Sequence, residues 1–378
     1  MKELKALGRC HNILDLRDRA RRHLPGPVFH FLDGAAETEV TARRNTAAFD
    51  DEKLIPRCLM DVASVRTATR VLGQDIEWPV FCSPTGASRL FHPDGELAVA
   101  RAAAGTGTLY GVATGSTYSL EDIAAATNGP KMFLLYPFKD RDLTRELIDR
   151  CKRAQYPALG LMVDVPVMGK RERDLRTGFN HWPKWSFKLF VSAAQRPAWA
   201  IGQLRRGPIS LANFPNRSGN TGPSAQLDPS ITWKEIREFI DRWNGPFALK
   251  GVMSADDARR AADVGVTAVI VSNHGGRQLD GAAAPIEVLP EIAGAVGDRV
   301  EVILDGGIRR GVHVLKALAR GAKACSVGRS YLYGLSAGGE AGVTRALEIL
   351  RTELVRSMQL CGCAHLEAID GTLIRRFA

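Results

Sequence analysis

Eight times along this chain a short apolar run is followed by a stretch with helical periodicity, and that rhythm restricts the fold more than any other feature. The apolar runs cover residues 79–83, 108–112, 132–136, 158–163, 247–250, 268–272, 300–305 and 324–328. The amphipathic stretches that follow them cover 96–104, 120–126, 143–154, 233–243, 255–264, 286–296, 312–319 and 341–360. Strands apolar on both faces need cover on both sides, which parallel pairing beneath crossover helices supplies. Eight such units fit a closed barrel better than an open doubly wound sheet. The expected architecture is therefore α/β, a (β/α)8 TIM barrel over about residues 78–360. A helical segment (13–23, then 28–32) precedes the barrel, and an insertion, residues 176–231, separates the fourth strand from its helix. All 378 residues read as one domain, since such barrels routinely exceed the length of an average domain.

Composition narrows the partners. Lys and Arg outnumber Asp and Glu by 51 to 41, a formal charge of +10, but the basic residues are scattered in short clusters such as Arg17, Arg19, Arg21 and Arg22. Without zinc-finger spacing or an aromatic-basic RNA signature, no nucleic-acid partner is expected; the charge reads as a bias toward anionic substrates or lipid head groups. Seven cysteines, an odd number, form no disulfide framework and no metal-ligand pattern, which suits a reducing compartment and predicts no metal. The first 23 residues are charged and no apolar run reaches spanning length, so a cytoplasmic protein is expected. The insertion carries Trp182, Trp185, Phe187, Phe190 and Trp199 among basic residues, then a loop, 213–229, rich in Asn, Gly, Pro and Ser. Its first half suits a membrane surface, and equally the barrel rim or a neighbouring subunit.

In barrels of this kind the reactive groups gather where strands end. Here Asp164, Lys250, Ser272 with His274, Asp305 and Arg329 fall at those ends. After the seventh strand comes Asp305-Gly306-Gly307-Ile308-Arg309, and after the eighth Gly328-Arg329. Glycines let backbone N–H groups approach an anion, a helix N-terminus favours it, and the two arginines add charged donors, so this end is read as a phosphate site. At the other end His274 stands among Asn and Gly with Arg277 three residues on. Imidazole titrates near working pH, which favours a general base beside an anion-binding arginine, with Asp164 placed to orient the ring.

The segment from Ser272 to Asp280, with 304–310 and Lys250-Gly251-Val252, resembles the FMN-dependent 2-hydroxy-acid oxidases and dehydrogenases, the group of glycolate oxidase, lactate oxidase and L-lactate dehydrogenase. The likeness runs from about residue 12 to 367, is weakest in the insertion, and looks nearest the bacterial L-lactate dehydrogenase branch through residues 171–179 and 323–326. It implies FMN as cofactor and oxidation of a 2-hydroxy acid, lactate-like or bulkier, to the 2-oxo acid. His274 would be the base, Asp164 its partner, Arg277 and Arg171 the carboxylate clamp, and Tyr136 a bond to the hydroxyl oxygen. Pro84, Thr85 and Gly86 would run along the flavin ring, with Lys250 at its electron-rich edge. Ser272, Asp305, Gly306, Gly307, Arg309, Gly328 and Arg329 would complete the cofactor site. The resemblance also implies a homo-oligomer, tetramer or larger, and leaves oxygen, a quinone or a protein carrier open as electron acceptor.

Several positions depart from the family's pattern, namely Phe31 for tyrosine, Leu134 for glutamine, Met162 for threonine, Ala113 for serine, and Gly86 for a common alanine. These changes predict a less polar pocket, extra space beside the reactive face at Gly86, and weakened flavin contacts. They also motivate an alternative, FMN-dependent oxidation or decarboxylation of a larger, natural-product-type carboxylate. A catalytically retired barrel with a binding role is a second alternative, opposed by intact His274, Arg277, Asp164 and Lys250.

Overall fold

The computed structural model describes residues 2–179, 187–214 and 226–376. Its centre is a closed barrel of eight parallel strands: β1 (Val80–Thr85), β2 (Tyr110–Ala113), β3 (Lys131–Leu135), β4 (Ala158–Met162), β5 (Phe247–Val252), β6 (Ala268–Val271), β7 (Glu301–Asp305) and β8 (Ala324–Val327). Each strand pairs with its sequence neighbour, and β8 closes on β1 with Cys325 opposite Val80. The strands are mostly apolar because both faces are buried. Met132 and Leu134 of β3 point into a barrel interior shared with Phe81, Met162, Ile270 and Ile303, while Phe133 and Leu135 join the layer beneath the helices.

The helices are α1 (Gly95–Gly105), α2 (Leu120–Ala126), α3 (Arg141–Arg153), α4 (Trp233–Trp243), α5 (Ala255–Asp263), α6 (Pro285–Val296), α7 (Gly311–Ala319) and α8 (Arg329–Leu360). Three of their starts carry side-chain caps. Ser119, Asp140 and Ser254 each accept a backbone N–H of the first turn, satisfying a donor that has no partner inside the helix. The last helix is longer than its periodicity indicated: α8 starts at Arg329 and is broken at Gly338 and Gly339.

Four N-terminal helices lie outside the barrel, Lys2–Gly8, Ile13–His23, Gly26–Asp33 and Val40–Ala47. The second crosses α8, where Arg19 donates to the Ala337 carbonyl. The hairpin of Thr69–Val71 and Gln74–Ile76 covers the opposite mouth, and Gln74 bonds the Lys131 backbone in both directions.

Within the insertion, helices Glu172–Thr177, Phe187–Ala194 and Pro197–Arg206 are described; Trp182 and Trp185 lie outside the described residues. Trp199 is turned inward, not to solvent: its indole N–H donates to the Leu90 carbonyl. Gln203 donates to Arg89 O, and the Arg89 guanidinium donates to the carbonyls of Arg206, Gly207 and Pro208, so this helix is fastened to the barrel rim. Its opposite side exposes Ile201 and Leu204, beside exposed Phe190 and Val191 of the neighbouring helix. No helix among the described residues is long and apolar enough to cross a membrane.

Candidate active site

The carboxyl ends of the strands open into a cavity of about 580 Å³. Its wall includes Pro84, Thr85, Gly86, Tyr136, Arg171, Lys250, His274, Arg277, Asp305, Gly306, Gly307, Arg309, Gly328 and Arg329, so fourteen of the sixteen expected site residues meet in one space. Asp164 and Ser272 stand behind it.

His274 follows β6 in left-handed backbone, φ 58°, a conformation few side chains adopt. The surroundings hold it there. Gly275 and Gly276 continue the left-handed turn, and the Asn273 side chain accepts the Gly276 N–H. Asn273 in turn exchanges amide bonds of 2.7 and 2.8 Å with Asn45. A Cβ on Gly276 would lie 2.6 Å from Ala42 N, so this turn needs glycine. The imidazole thus faces the cavity, with its Nδ1 3.2 Å from Asp164 Oδ1. Burial pushes the imidazole below 6.5, and Asp164 opposes that shift. A neutral ring at neutral pH can accept a proton at Nε2.

Tyr136 follows β3 on the same wall, and burial raises its phenol. Arg277 donates through Nη1 to the carbonyls of Phe31 (2.9 Å) and Gly34 (2.7 Å), with its guanidinium 5.3 Å from the Phe31 ring centre. Among the described residues Arg171 reaches only the Arg277 carbonyl, at 3.4 Å. Burial lowers both guanidiniums, a sign of cations held without full solvation.

Lys250 on β5 lies 2.9 Å from both Ser272 Oγ and Asp305 Oδ2. Burial alone would raise the Asp305 carboxyl, but Lys250, Ser326 and Ser272 bring it to about 2. Ser272, expected against the cofactor, is fully buried behind the wall and locks Lys250 to Asp305. Asp305 already accepts from Lys250, Ser272 and Ser326.

The anion end lies where α8 starts. Arg329 donates to the carbonyls of Gly275 (2.8 Å) and Gly34 (2.7 Å), leaving its buried Nε without a partner. Among the described residues the Arg309 guanidinium bonds only its neighbour's carbonyl, Ile308 O. Gly306 and Gly307 have φ of 128° and 76°, and a Cβ on Gly307 would sit 1.8 Å from Asn45 O.

Comparison with known proteins agrees with this geometry. The pattern of the family described as FMN-dependent dehydrogenase matches residues 20–376. The chain belongs to that family. It is 41% identical over 371 residues to an L-lactate oxidase of a Nostoc species, covering 96% of this chain and 97% of the relative. It is 39% identical over 369 residues to a putative L-lactate dehydrogenase of Mycobacterium tuberculosis, covering 97% and 89%. Among solved structures, a monotopic membrane protein, (S)-mandelate dehydrogenase, superposes with TM-score 0.94 at 34% identity over 98% of this chain and 100% of that one.

For a member of an FMN-dependent family, the anion end has the needed chemistry. The unpartnered Nε of Arg329, the sparsely bonded Arg309, the glycine turn after β7 and the start of α8 form a cradle for a phosphate. Four departures from the family pattern look different in place. Leu134, Met162 and Ala113 are fully buried and do not line the cavity; the first two belong to the apolar barrel interior. Gly86 does not open space, because a Cβ there would meet the Gly115 carbonyl at 2.8 Å. Phe31 does line the cavity, its ring 5.1 Å from Phe179 and 6.3 Å from Phe91. Sequence reading gave no site role to those two aromatics, to the Gly34 carbonyl or to Asp174; Asp174 and Phe179 fall in the 171–179 stretch but carry no signal of their own there.

Proposed function

We propose that this FMN-dependent dehydrogenase oxidises a 2-hydroxy acid with a bulky apolar side chain to the 2-oxo acid. The observation that carries the reading is the His274–Asp164 pair, 3.2 Å apart, facing a cavity that also holds Arg171 and Arg277. In this reading Arg171 and Arg277 take the substrate carboxylate, Tyr136 bonds the hydroxyl oxygen, and His274 Nε2 accepts the hydroxyl proton. Asp164 holds the Nδ1 side of the ring and stabilises the imidazolium that forms. Bound FMN supplies the two-electron acceptor. Lys250 would add a positive charge beside the ring, Pro84, Thr85 and Gly86 would line it, and Gly306, Gly307, Arg309, Gly328 and Arg329 would hold the phosphate. Asp305 fixes Lys250 and faces the ribose. Phe31, Phe91, Phe179, Phe138 and Phe214 line the remaining space, favouring an aromatic or branched side chain over the methyl of lactate.

The whole chain acts as one domain in this reading and assembles as a homo-oligomer. The exposed residues Phe190, Val191, Ile201 and Leu204, followed by Arg205 and Arg206, suit peripheral contact with the cytoplasmic face of a membrane, with a quinone as electron acceptor. Anaerobic addition of 2-hydroxy acids to the flavin-loaded protein tests the chemistry. Bleaching of the flavin bands fastest with aryl-substituted acids is expected. Bound flavin that no 2-hydroxy acid reduces would favour a different, larger substrate.

A further inference from the structure

The acids around the cavity are matched with unequal care. Asp305 is paired with Lys250, and Asp164 with His274. Asp174, three residues after Arg171 in helix Glu172–Thr177, is also on the cavity wall and only 4% exposed. Its Oδ1 is buried without a hydrogen-bond partner among the described residues. A buried carboxylate oxygen in that position is costly and calls for a physical account.

The charges acting on Asp174 are Arg277, Arg171 and Arg173 on one side and Glu39 on the other. Arg173 is already committed to Asp33 and Glu39. Arg171 and Arg277 reach only backbone carbonyls. Those two guanidiniums and this carboxyl are therefore the unmatched charges of one end of the cavity, close enough to act on one another without a direct ion pair among the described residues.

We propose that Asp174 is the resident counter-ion of Arg171 and Arg277, a positioning residue that takes up a proton from solvent when a substrate carboxylate settles on the two guanidiniums. The inference rests on reading those arginines as the carboxylate clamp. Its physical basis is that a second carboxylate brought into one desolvated site raises the proton affinity of the first. The incoming acid is the better hydrogen-bonded of the two, so Asp174 is the one neutralised. Burial already favours its neutral form, with the three arginines opposing. Carboxylate binding then carries a proton with it, and affinity falls as pH rises above the point where free Asp174 ionises, by up to about tenfold per pH unit.

The test uses the flavin-loaded enzyme and oxalate, a carboxylate with no α-hydrogen to lose. Oxalate affinity is followed by the change in flavin absorption from about pH 5 to about pH 9, in wild type, Asp174→Asn and Asp174→Glu. His274 contributes its own pH dependence and is common to all three proteins. The expected result is that Asp174→Asn loses about one proton from the slope of log Kd against pH, while Asp174→Glu keeps it. Equal slopes in wild type and Asp174→Asn would overturn the inference and leave the clamp standing. No oxalate binding to wild type at about pH 5 would sink the clamp and this inference together.

Discussion

Arg277 and Arg329 donate to the same acceptor, the carbonyl of Gly34, each at 2.7 Å. That carbonyl sits just past the C-terminal end of helix Gly26–Asp33, where the helix dipole adds negative charge. The substrate end and the phosphate end of the cavity thus lean on one backbone atom.

Substitution separates the two roles. Arg329→Met is expected to weaken FMN binding by about 2 kcal/mol, roughly thirtyfold, as a charged hydrogen-bonding group is lost. Arg277→Met should leave FMN affinity within a few-fold of wild type and lower kcat/KM by about a hundredfold or more. Fluorescence titration of apoprotein with FMN, beside steady-state kinetics, measures both; weakened FMN binding in Arg277→Met would refute the division.

The acid limb of the rate profile reports on His274. The ring must be neutral to accept a proton, so kcat/KM should fall as pH drops through its titration, with an inflection below the ordinary histidine value of 6.5 because burial disfavours the charged ring. Asp164 opposes that shift, so Asp164→Asn moves the inflection further to the acid side and lowers the plateau by about a hundredfold. An unmoved inflection would mean another group titrates.

Asp33 governs stability. Its carboxylate bonds Arg17 (2.6 and 2.8 Å), Arg173 (3.0 Å) and Tyr333 (2.7 Å), tying the N-terminal helices to the insertion and to α8. Burial would raise its carboxyl, but Arg17, Tyr333 and Arg173 hold it well below the usual carboxylate range. For a depressed acid the stabilisation is complete above the unfolded value of about 3.9 and is lost as pH falls below it. Asp33→Asn is expected to cost about 3 kcal/mol at neutral pH, and to change less than wild type between about pH 5 and about pH 3 in urea denaturation.

Gly86 gives a packing test. Alanine there places Cβ 2.8 Å from the Gly115 carbonyl, so the loops after β1 and β2 must part. Gly86→Ala should cost about 1–3 kcal/mol of stability, seen as a lower Tm. Unchanged stability with a merely narrower substrate range would restore the view that this glycine enlarges the pocket.

Vesicles test the insertion. Phe190→Ser with Leu204→Ser is expected to reduce sedimentation with phosphatidylglycerol vesicles and leave turnover of a soluble acceptor dye intact. Equal sedimentation of variant and wild type would end the membrane reading.

The barrel was legible because strands buried on both faces are continuous apolar runs, and their polar ends stand out against them. Start and end of every barrel strand fell within two residues of expectation, since period and burial agree there. The rest depended on groups without a side-chain signature. Helix Val40–Ala47 is mostly polar and shows no apolar stripe, and the start of α8 is rich in Gly, Ser and Ala. The Gly34 carbonyl is backbone and carries no sequence mark. Arg329, expected to face phosphate freely, is also bound to two carbonyls, which only the tertiary path of the N-terminal segment reveals.

That shared carbonyl also bears on how portable the site is. A barrel cut free at residue 78 and grafted elsewhere would carry His274, Asp164, Tyr136, Lys250 and all four cavity arginines. It would lack the Gly34 carbonyl on which Arg277 and Arg329 lie and the Phe31 carbonyl that also holds Arg277, leaving Arg329 with the Gly275 carbonyl and Arg277 with neither of its acceptors. The barrel supplies the reagents, whereas the workbench that keeps two of them still is laid down by residues ahead of its first strand.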